Sequence, residues 1–192
     1  GLGDARKISL GHPPSFFYAP TWSPDSKKIA YTDKRGILWR LALEKGQPVR
    51  VDTNTFGGPL DPPAWSPDSR WLAFTKTLRN RLSAVFVQNI ETGTLHQVTD
   101  GMSDAVQASF DSSGKHLYFA ASTDSGPANS WCDLSAMNRP ITRSLYLVVL
   151  DQSQASPLAP ESDEEKIEEK KNAQPAPEKS AGAQSDANKP SA

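Results

Sequence analysis

Short apolar segments separated by turn-forming residues fill the first 160 residues of the chain. The first set runs from Lys27 to Thr32, from Ile37 to Leu43 and from Pro48 to Val51. These segments are rich in β-branched and aromatic residues and are bounded by glycine-containing or Ser-Pro-Asp-Ser stretches, which is typical of β-strands. No long segment shows the 3.6-residue period of a helix. The pattern therefore predicts a succession of short antiparallel strands.

The set of strands is repeated along the chain. At Trp22 the sequence reads WSPDSKKIAY, and 43 residues later, at Trp65, it reads WSPDSRWLAF. A weaker copy, FDSSGKHLYF, begins a further 45 residues on, at Phe110. Proline at the second position of Ser-Pro-Asp-Ser predicts a type I turn, and a short strand before each turn completes a unit of four strands. The remaining strands are predicted at residues 70–76, 84–90 and 95–99 in the second copy, and at 115–121, 145–150 and around Leu158 in the third.

A four-stranded unit that repeats at this spacing is the blade of a β-propeller. Helical repeats of similar length are disfavoured because strand patterns and glycine turns fill every unit. A β-sandwich would contain strands, but it gives no reason for whole motifs to recur. The predicted fold class is all-β: about three four-stranded propeller blades that form an incomplete ring, followed by a disordered tail.

Motif boundaries and composition divide the chain into segments. These are residues 1–11, the outer strand of a preceding blade; 12–53, blade 1; 54–99, blade 2; 100–160, blade 3 with a long loop at 122–143; and 161–192, a charged linker rich in Pro and Ala. The linker contains one large aliphatic residue, Ile167, so it cannot bury enough apolar surface to fold. Three blades are too few to close a ring, since propellers have about four to eight. We therefore expect other domains, or self-association through the open blade edges, to cover the outer blades.

Apolar residues at matching positions of the copies are expected to be largely buried between blades. They are Trp22, Ile29, Tyr31, Trp39, Trp65, Leu72, Phe74, Phe86, Leu117, Phe119 and Tyr146.

The motifs resemble those of a known family. Trp-Ser-Pro-Asp-Ser followed by a basic residue and an aliphatic-Ala-aromatic strand is similar to the repeat of TolB-like and tricorn-type propellers, and it lacks the Gly-His and Trp-Asp dipeptides of WD40 repeats. The chain resembles bacterial tricorn-like serine peptidases more closely, on the stretches LYFAASTDSGP, MNRPITRSLYLVVL and SPLAPESDEEK. This resemblance covers most of residues 5–170. It implies a parent peptidase with two propellers, a PDZ-like module and a C-terminal catalytic region, and hence peptides and those other domains as partners.

The residues themselves carry no catalytic or metal-binding motif. There is no Gly-x-Ser-x-Gly nucleophile elbow, and no pair of His or Cys residues has the spacing of metal ligands. The turn aspartates Asp25 and Asp68 recur in a way that indicates folding, and His12, His96 and His116 lie in or beside repeat elements. We therefore expect no catalytic residue, cofactor or metal in this chain.

Composition limits the partners and says little about the compartment. The net charge of −1 gives no reason to expect nucleic acid, and the lack of an 18-residue apolar stretch gives none to expect a membrane span. The single cysteine, Cys132, excludes an internal disulfide. Bacterial members of the resembled family are often exported, so the resemblance favours a periplasmic or exported parent over a cytoplasmic one.

Strand alternation predicts one face with long loops. It places the loops between the second and third strands of each blade, including 76–83 and 122–143, on the same face as the inter-blade segments. The Ser-Pro-Asp-Ser turns lie on the opposite face, which is expected to be plain. Long loops on a rigid scaffold commonly bind ligands, and these carry groups suited to peptide carboxylates and apolar side chains. The candidate peptide-binding residues are Arg79, Arg81, Trp131, Arg139 and Arg143.

Two functions fit these observations. The first is a propeller segment of a tricorn-like serine peptidase that gates, guides or scaffolds peptide hydrolysis without doing chemistry. The second is a TolB-like protein-interaction propeller with no enzymatic role. On either hypothesis, the long loops serve equally well to pack against a neighbouring domain.

Overall fold

The computed structural model describes residues 7–10, 15–56, 60–124 and 140–159. These residues form eleven β-strands, and no apolar helix of bilayer-spanning length occurs among them. The strands are β1 (Phe17–Trp22), β2 (Lys28–Asp33), β3 (Ile37–Ala42), β4 (Pro48–Thr53), β5 (Ala64–Trp65), β6 (Trp71–Thr77), β7 (Ser83–Asn89), β8 (Leu95–Gln97), β9 (Asp104–Phe110), β10 (His116–Ser122) and β11 (Ser144–Val149). The chain divides into a unit of residues 1–157, which holds all of these strands, and a unit of residues 158–192, of which only Leu158 and Ala159 are described.

The strands form three antiparallel sheets in which neighbours in sequence are neighbours in space. Their orders are β1-β2-β3-β4, β5-β6-β7-β8 and β9-β10-β11, and we refer to them as blades 1, 2 and 3. Corresponding residues pair across the second and third strands of each blade: Tyr31 with Trp39, Phe74 with Phe86, and Phe119 with Tyr146. These sheets confirm the prediction of an all-β chain built from repeated propeller blades.

A serine–carboxylate pair shapes each turn between the first and second strands of a blade. In blade 1 the amide of Ser26 donates to the carbonyl oxygen of Ser23 over 2.8 Å, and Ser23 Oγ donates to Asp25 Oδ1 over 2.5 Å. In blade 2, Ser66 Oγ donates to Asp68 Oδ1 over the same 2.5 Å. The carboxylate accepts the amide of the residue just before the next strand, and the serine hydroxyl accepts the first amide of that strand, so the pair joins the turn to the strand.

Blade 3 keeps this pair with the two residues exchanged. Asp111 stands where Ser66 stands in blade 2, and Ser113 stands where Asp68 stands. Ser113 Oγ donates to Asp111 Oδ2 over 2.5 Å, and the amide of His116 donates to Asp111 Oδ1 over 3.0 Å. The exchange reverses the order of the serine and the aspartate along the turn but preserves the hydrogen bond between them. This is expected if the recurring aspartates serve folding.

Two apolar cores join the three blades. The core between blades 1 and 2 is formed by Ala30, Leu38, Leu60, Trp65, Leu72, Phe74, Ala84, Phe86 and Ile90. The core between blades 2 and 3 is formed by Ala73, Val85, Val87, Ala105, Ala108, Leu117, Phe119 and Ala121. Because side chains alternate across a strand, each central strand of blade 2 contributes to both cores.

Polar contacts add to the junction between blades 1 and 2. The indole of Trp65 donates through Nε1 to the carbonyl oxygen of Thr21 over 3.2 Å. On blade 2, Lys76 Nζ lies 2.6 Å from Asp52 Oδ2 of blade 1. Both contacts therefore cross the junction between the two blades.

Two of the residues expected to be buried are exposed, and the reason is their place at the ends of the array. Trp22 is 59% exposed, although its counterpart Trp65 is buried against blade 1, because no blade precedes blade 1 among the described residues. Tyr146 is 45% exposed because β11 is the edge strand of its sheet, whereas β8 covers the matching strand of blade 2. Ile29 and Trp39 are half-buried, and the remaining seven residues are buried.

The described residues lack two expected strands. Residues 151–159 contain no strand, so the fourth strand predicted around Leu158 is not formed and blade 3 has three strands here. Residues 7–10, predicted to belong to the outer strand of a preceding blade, are also not paired. That assignment stays a prediction, because the strand it would pair with lies in no described segment. The tail predicted at 161–192 lies outside the described residues.

Candidate functional site

Strand order places the long connections on one face of the blades, as expected. Antiparallel neighbours in the order of the chain require the β2–β3, β6–β7 and β10–β11 loops to emerge beside the inter-blade segments. We call this surface the long-loop face; its described residues include 33–36, 54–56, 77–83, 100–103 and 140–143. The opposite surface, which carries the Ser-Pro-Asp-Ser turns, is called the turn face.

The blade 2 loop is anchored to the inter-blade segments on both of its sides. Asn80 Nδ2 donates to the carbonyl oxygen of Gly101 over 2.8 Å, and Arg81 Nη1 donates to that of Phe56 over 2.6 Å. Glycine is favoured at position 101 because its φ of 80° lies in the left-handed region, which other residues adopt only at a steric cost. The loop backbone is held by two bonds of its own, from the amide of Leu78 to the carbonyl oxygen of Leu82 and from the amide of Arg81 to that of Leu78.

The structure separates the roles of the predicted site residues. Arg79 is exposed on the blade 2 loop and has no ion pair or hydrogen bond within the described part of the chain. Arg81 is also exposed, but one of its donors is engaged by Phe56. Trp131 and Arg139 lie outside the described residues. The two described loop arginines are therefore neighbours on one tight loop.

Arg143 is engaged in an ion pair that its sequence position does not reveal. Its Nη2 lies 3.0 Å from Asp104 Oδ2, and the Asp104 side chain is only 2% exposed. Asp104 Oδ1 accepts the amide of Ser83 over 3.0 Å. The carboxylate thus ties the start of β9 to the start of β7, and Arg143 neutralises it from the end of the blade 3 loop.

A small polar cavity on the long-loop face was not predicted. It has a volume of about 170 Å³ and lies where blade 1 meets blade 2, between Asn54, Asp61, Thr75 and Lys76. Lys76 Nζ lies 2.6 Å from Asp52 Oδ2 and 4.6 Å from the centre of the Phe86 ring. The sequence contained one signal for this cavity. Lys76, at the end of β6, stands at the repeat position that Asp33 occupies in blade 1.

Asp33 is a buried carboxylate that holds the shortest loop of this face. Its Oδ1 accepts the amides of Arg35 and Ile37 at 2.9 and 3.0 Å, and its Oδ2 accepts Trp39 Nε1 at 3.2 Å. Burial alone would raise the pKa of Asp33. The hydrogen bonds from Ile37, Trp39 and Arg35 outweigh burial and hold that pKa below its usual value.

One serine, one aspartate and one histidine meet on the turn face without forming a catalytic triad. Asp111 Oδ2 lies 2.5 Å from Ser113 Oγ and 3.4 Å from His116 Nδ1. In a triad the imidazole stands between the serine and the carboxylate and takes the serine proton. Here the serine donates directly to the carboxylate, so the arrangement holds the turn and activates no nucleophile. No group of three metal-ligating side chains occurs in the described segments.

The turn face is not plain, contrary to expectation. Its turns are short, but a cavity of about 600 Å³ opens there between the turns of blades 2 and 3. Trp71, His96 and Phe110 contribute aromatic walls. The repeat spacing gave a signal that could have located it, because the third turn has Gly114 where the second has Ser69.

Comparison with known proteins agrees with this architecture. A family model described as the tricorn protease second beta propeller domain matches residues 13–188. The crystal structure of the tricorn protease matches 73% of this chain with a TM-score of 0.60 and 18% identity. TolB from Acinetobacter baumannii also matches 73% of it, with a TM-score of 0.50 and 19% identity. No curated protein sequence matches the chain.

These structural likenesses show a shared fold, since the identities are low. The chain spans 14% of the tricorn protease chain and 31% of the TolB chain. The family match extends over most of the sequence and includes all the blades that the structure describes. The resemblance drawn from the repeat motifs is confirmed, and this chain belongs to the family of the tricorn protease second β-propeller domain.

Proposed function

We propose that this chain is the propeller portion of a tricorn-like serine peptidase that guides or gates peptides, or scaffolds the other domains, and does no chemistry itself. The family match over residues 13–188 is the observation that carries the proposal. A hydrolase of this type would also need a nucleophile, a base and oxyanion donors, which we place in other parts of the parent protein. An exported parent stays a prediction from the family resemblance.

The proposed contact with peptides is on the long-loop face. Arg79 and Arg81 are exposed on a loop whose backbone is closed by hydrogen bonds between Leu78 and Leu82, so little backbone entropy is lost when they bind a carboxylate. Trp131, Arg139 and Arg143 complete the proposed set. Of these, Arg143 already neutralises Asp104, and we expect it to contribute through the shape of the loop.

A TolB-like interaction propeller is the alternative proposal. The fold likeness to TolB from Acinetobacter baumannii is compatible with it. On this proposal the long-loop face binds a folded partner protein, so short peptides show no preference for a free carboxylate.

Peptide binding distinguishes the two proposals. Fluorescence anisotropy would compare the binding of two labelled, lysine-free peptides of the same sequence. One has a free C-terminal carboxylate, and the other has a C-terminal amide. We expect the free carboxylate to bind the chain tighter, and Arg79→Ala with Arg81→Ala to weaken that binding roughly ten-fold through the loss of charge-assisted hydrogen bonds. Lys27→Ala is the matched control, since it removes an exposed cation from the turn face. Equal binding of acid and amide, or an equal effect of the control, would contradict peptide guidance at this face.

A further inference from the structure

The cavity on the turn face is bounded by two successive turns of the repeat. Its lining includes Asp68 and Trp71 of blade 2 and Phe110 and Gly114 of blade 3. We call it the turn groove. Its volume of about 600 Å³ is within the usual range for sites that take small ligands or single side chains with their neighbours.

The corresponding junction between blades 1 and 2 is closed by a lysine. Lys28 Nζ lies 2.6 Å from Asp25 Oδ2 of its own turn and 3.3 Å from the carbonyl oxygen of Ser69 in the next turn. The amide of Asp25 also donates to Ser69 Oγ over 3.0 Å. An ammonium group therefore bridges a carboxylate and a main-chain carbonyl where the two turns meet.

At the turn groove the acceptors of this arrangement persist. Asp68 Oδ1 accepts Ser66 Oγ at 2.5 Å and the amide of Arg70 at 3.0 Å. In blade 1, Asp25 Oδ1 accepts Ser23 Oγ at 2.5 Å and the amide of Lys27 at 2.9 Å. The two carboxylates are therefore held in the same way. Asp25 Oδ2 binds the ammonium, whereas Asp68 Oδ2 has no hydrogen-bond partner among the described residues. Arg70 does not neutralise it, since that guanidinium lies 3.2 Å from Glu91.

The donors of the arrangement are replaced at the turn groove. Trp71 stands at the position of Lys28, so the ammonium is missing. Gly114 stands at the position of Ser69, so the hydroxyl that links the two turns is missing while the main-chain carbonyl remains. These two replacements leave the groove open and supply an aromatic wall in place of a cation.

We propose that the turn groove binds a lysine side chain of an extended peptide segment of a partner. The ammonium occupies the place that Lys28 Nζ takes at the previous junction, against Asp68 Oδ2 and the carbonyl oxygen of Gly114. The aliphatic stem lies along Trp71 and Phe110, where apolar contact and the indole face both favour it. A compact ammonium fits this pair of acceptors, whereas the planar fork of arginine does not match it. The site is on the face opposite the one in the proposed function and does not depend on that function.

The test compares blocked short peptides that differ at one position, which is lysine, norleucine or arginine. Titrations followed by Trp fluorescence and by amide NMR shifts at Asp68 and Gly114 are expected to show the lysine peptide binding about ten-fold tighter than the norleucine peptide, since one charge-assisted contact is removed. Arginine is expected to fall between them. Asp68→Asn should abolish the preference for lysine. Glu44→Gln, which removes an exposed carboxylate of blade 1 outside the groove, should leave it unchanged.

A second variant fills the site from within the chain. Trp71→Lys supplies the cation at the place where Lys28 supplies it in blade 1, so the variant is expected to lose lysine-peptide binding while its circular dichroism spectrum is retained. Equal binding of lysine and norleucine peptides would overturn the proposal. So would an unchanged preference for lysine in folded Asp68→Asn, or the lack of saturable binding to the folded chain up to about 10 mM peptide, which is weaker than a single well-formed site should be.

Discussion

The fourth residue of each turn between the first two strands has a left-handed backbone conformation. The angle φ is 57° at Ser26, 59° at Ser69 and 71° at Gly114. Only glycine adopts this region without a steric cost, so the two serines are strained and the glycine is not. Ser69 offsets its cost by accepting the amide of Asp25 across the blade junction. No contact of that kind involves Ser26 within the described residues.

Replacing Ser26 with glycine should therefore stabilise the chain. The relief of left-handed strain, about 1–2 kcal/mol, exceeds the entropy that glycine adds to the unfolded state, about 0.4–1 kcal/mol. We expect Ser26→Gly to raise the free energy of unfolding by about 0.5–1 kcal/mol in urea titrations. Gly114→Ala is the matched opposite change and should lower it by about 1 kcal/mol. A stabilising Gly114→Ala would contradict the assigned strain.

Removal of the Asp33 carboxylate should destabilise the chain at neutral pH. Asp33→Ala leaves the amides of Arg35 and Ile37 and the indole of Trp39 without their acceptor, which should cost about 2–4 kcal/mol in urea unfolding at pH 7. Asp61→Asn, at an exposed aspartate, should change the free energy by less than about 0.5 kcal/mol.

The same residue should give a defined pH dependence. Since the folded-state pKa of Asp33 is depressed, its stabilising contribution is full above the unfolded value of about 4 and is lost as pH falls toward the folded value. Unfolding titrations between about pH 5 and 2 should therefore show a smaller loss of stability for Asp33→Asn than for the natural chain. Equal slopes for both would show that the carboxylate is not favoured in the folded state.

At the scale of the strands, the same motif has different consequences in successive blades. Trp65 at the end of β5 is 8% exposed and donates to the carbonyl oxygen of Thr21. Trp22, at the end of β1, occupies the same motif position and is 59% exposed. The two residues thus form an internal pair in which sequence context is alike and packing differs.

Truncation of these two tryptophans should separate packing from motif identity. Trp65→Ala should lower the free energy of unfolding by about 3–5 kcal/mol, because it leaves a cavity in the core between blades 1 and 2. Trp22→Ala should cost less than about 1 kcal/mol, as expected for an exposed side chain. The free energy of unfolding of both variants is measured by denaturant titration. Similar losses for the two variants would contradict the burial of Trp65 and the exposure of Trp22.

At the scale of the whole molecule, the end blades present apolar surface to solvent. Phe16, Phe17, Tyr18 and Trp22 are exposed on or beside blade 1, and Leu145 is 74% exposed on β11. Apolar clusters and unpaired strand edges of this kind favour pairing with another surface. Self-association therefore follows as a prediction for the isolated chain.

Light scattering at increasing concentration should reveal an apparent mass above that of one chain. Trp22→Lys combined with Leu145→Lys should lower it, because a charge at each end blocks contact between blades. Lys27→Glu, an exposed change on the turn face, serves as the control. A freely soluble, cooperative monomer at all concentrations would contradict this prediction.

Peptide hydrolysis is not expected from the chain alone. Purified chain should give no turnover of fluorogenic peptides that is sensitive to a serine-directed covalent inhibitor, since the cluster of Ser113, Asp111 and His116 has the order of a turn and not of a triad. Inhibitor-sensitive turnover that is lost on mutation of a serine within residues 1–160 would overturn this expectation.

Local chemistry in the sequence determined the strands, the turns and the family. The proline and aspartate of Ser-Pro-Asp-Ser shape only the backbone within a few residues. The turns at Pro24 and Pro67 could therefore be predicted from the sequence. Strand ends differ from the prediction by one or two residues at most positions because pairing partners decide them. The fourth strand expected near Leu158 is not present within residues 151–159, because one apolar residue in a polar segment is a weak local signal for a strand.

Contacts between distant segments were decided only by the tertiary structure. The sequence repeat specified which face of its blade a residue occupies, but not whether another blade covers that face. The difference in burial between Trp22 and Trp65 could therefore not be predicted. Arg143 was predicted to bind peptides, yet its guanidinium meets Asp104, a buried carboxylate 39 residues away. The turn groove exists because Trp71 and Gly114, which are far apart in sequence, meet at one junction. Burial and charge pairing depend on the residues that lie across such a junction. The sequence of one strand does not specify those residues.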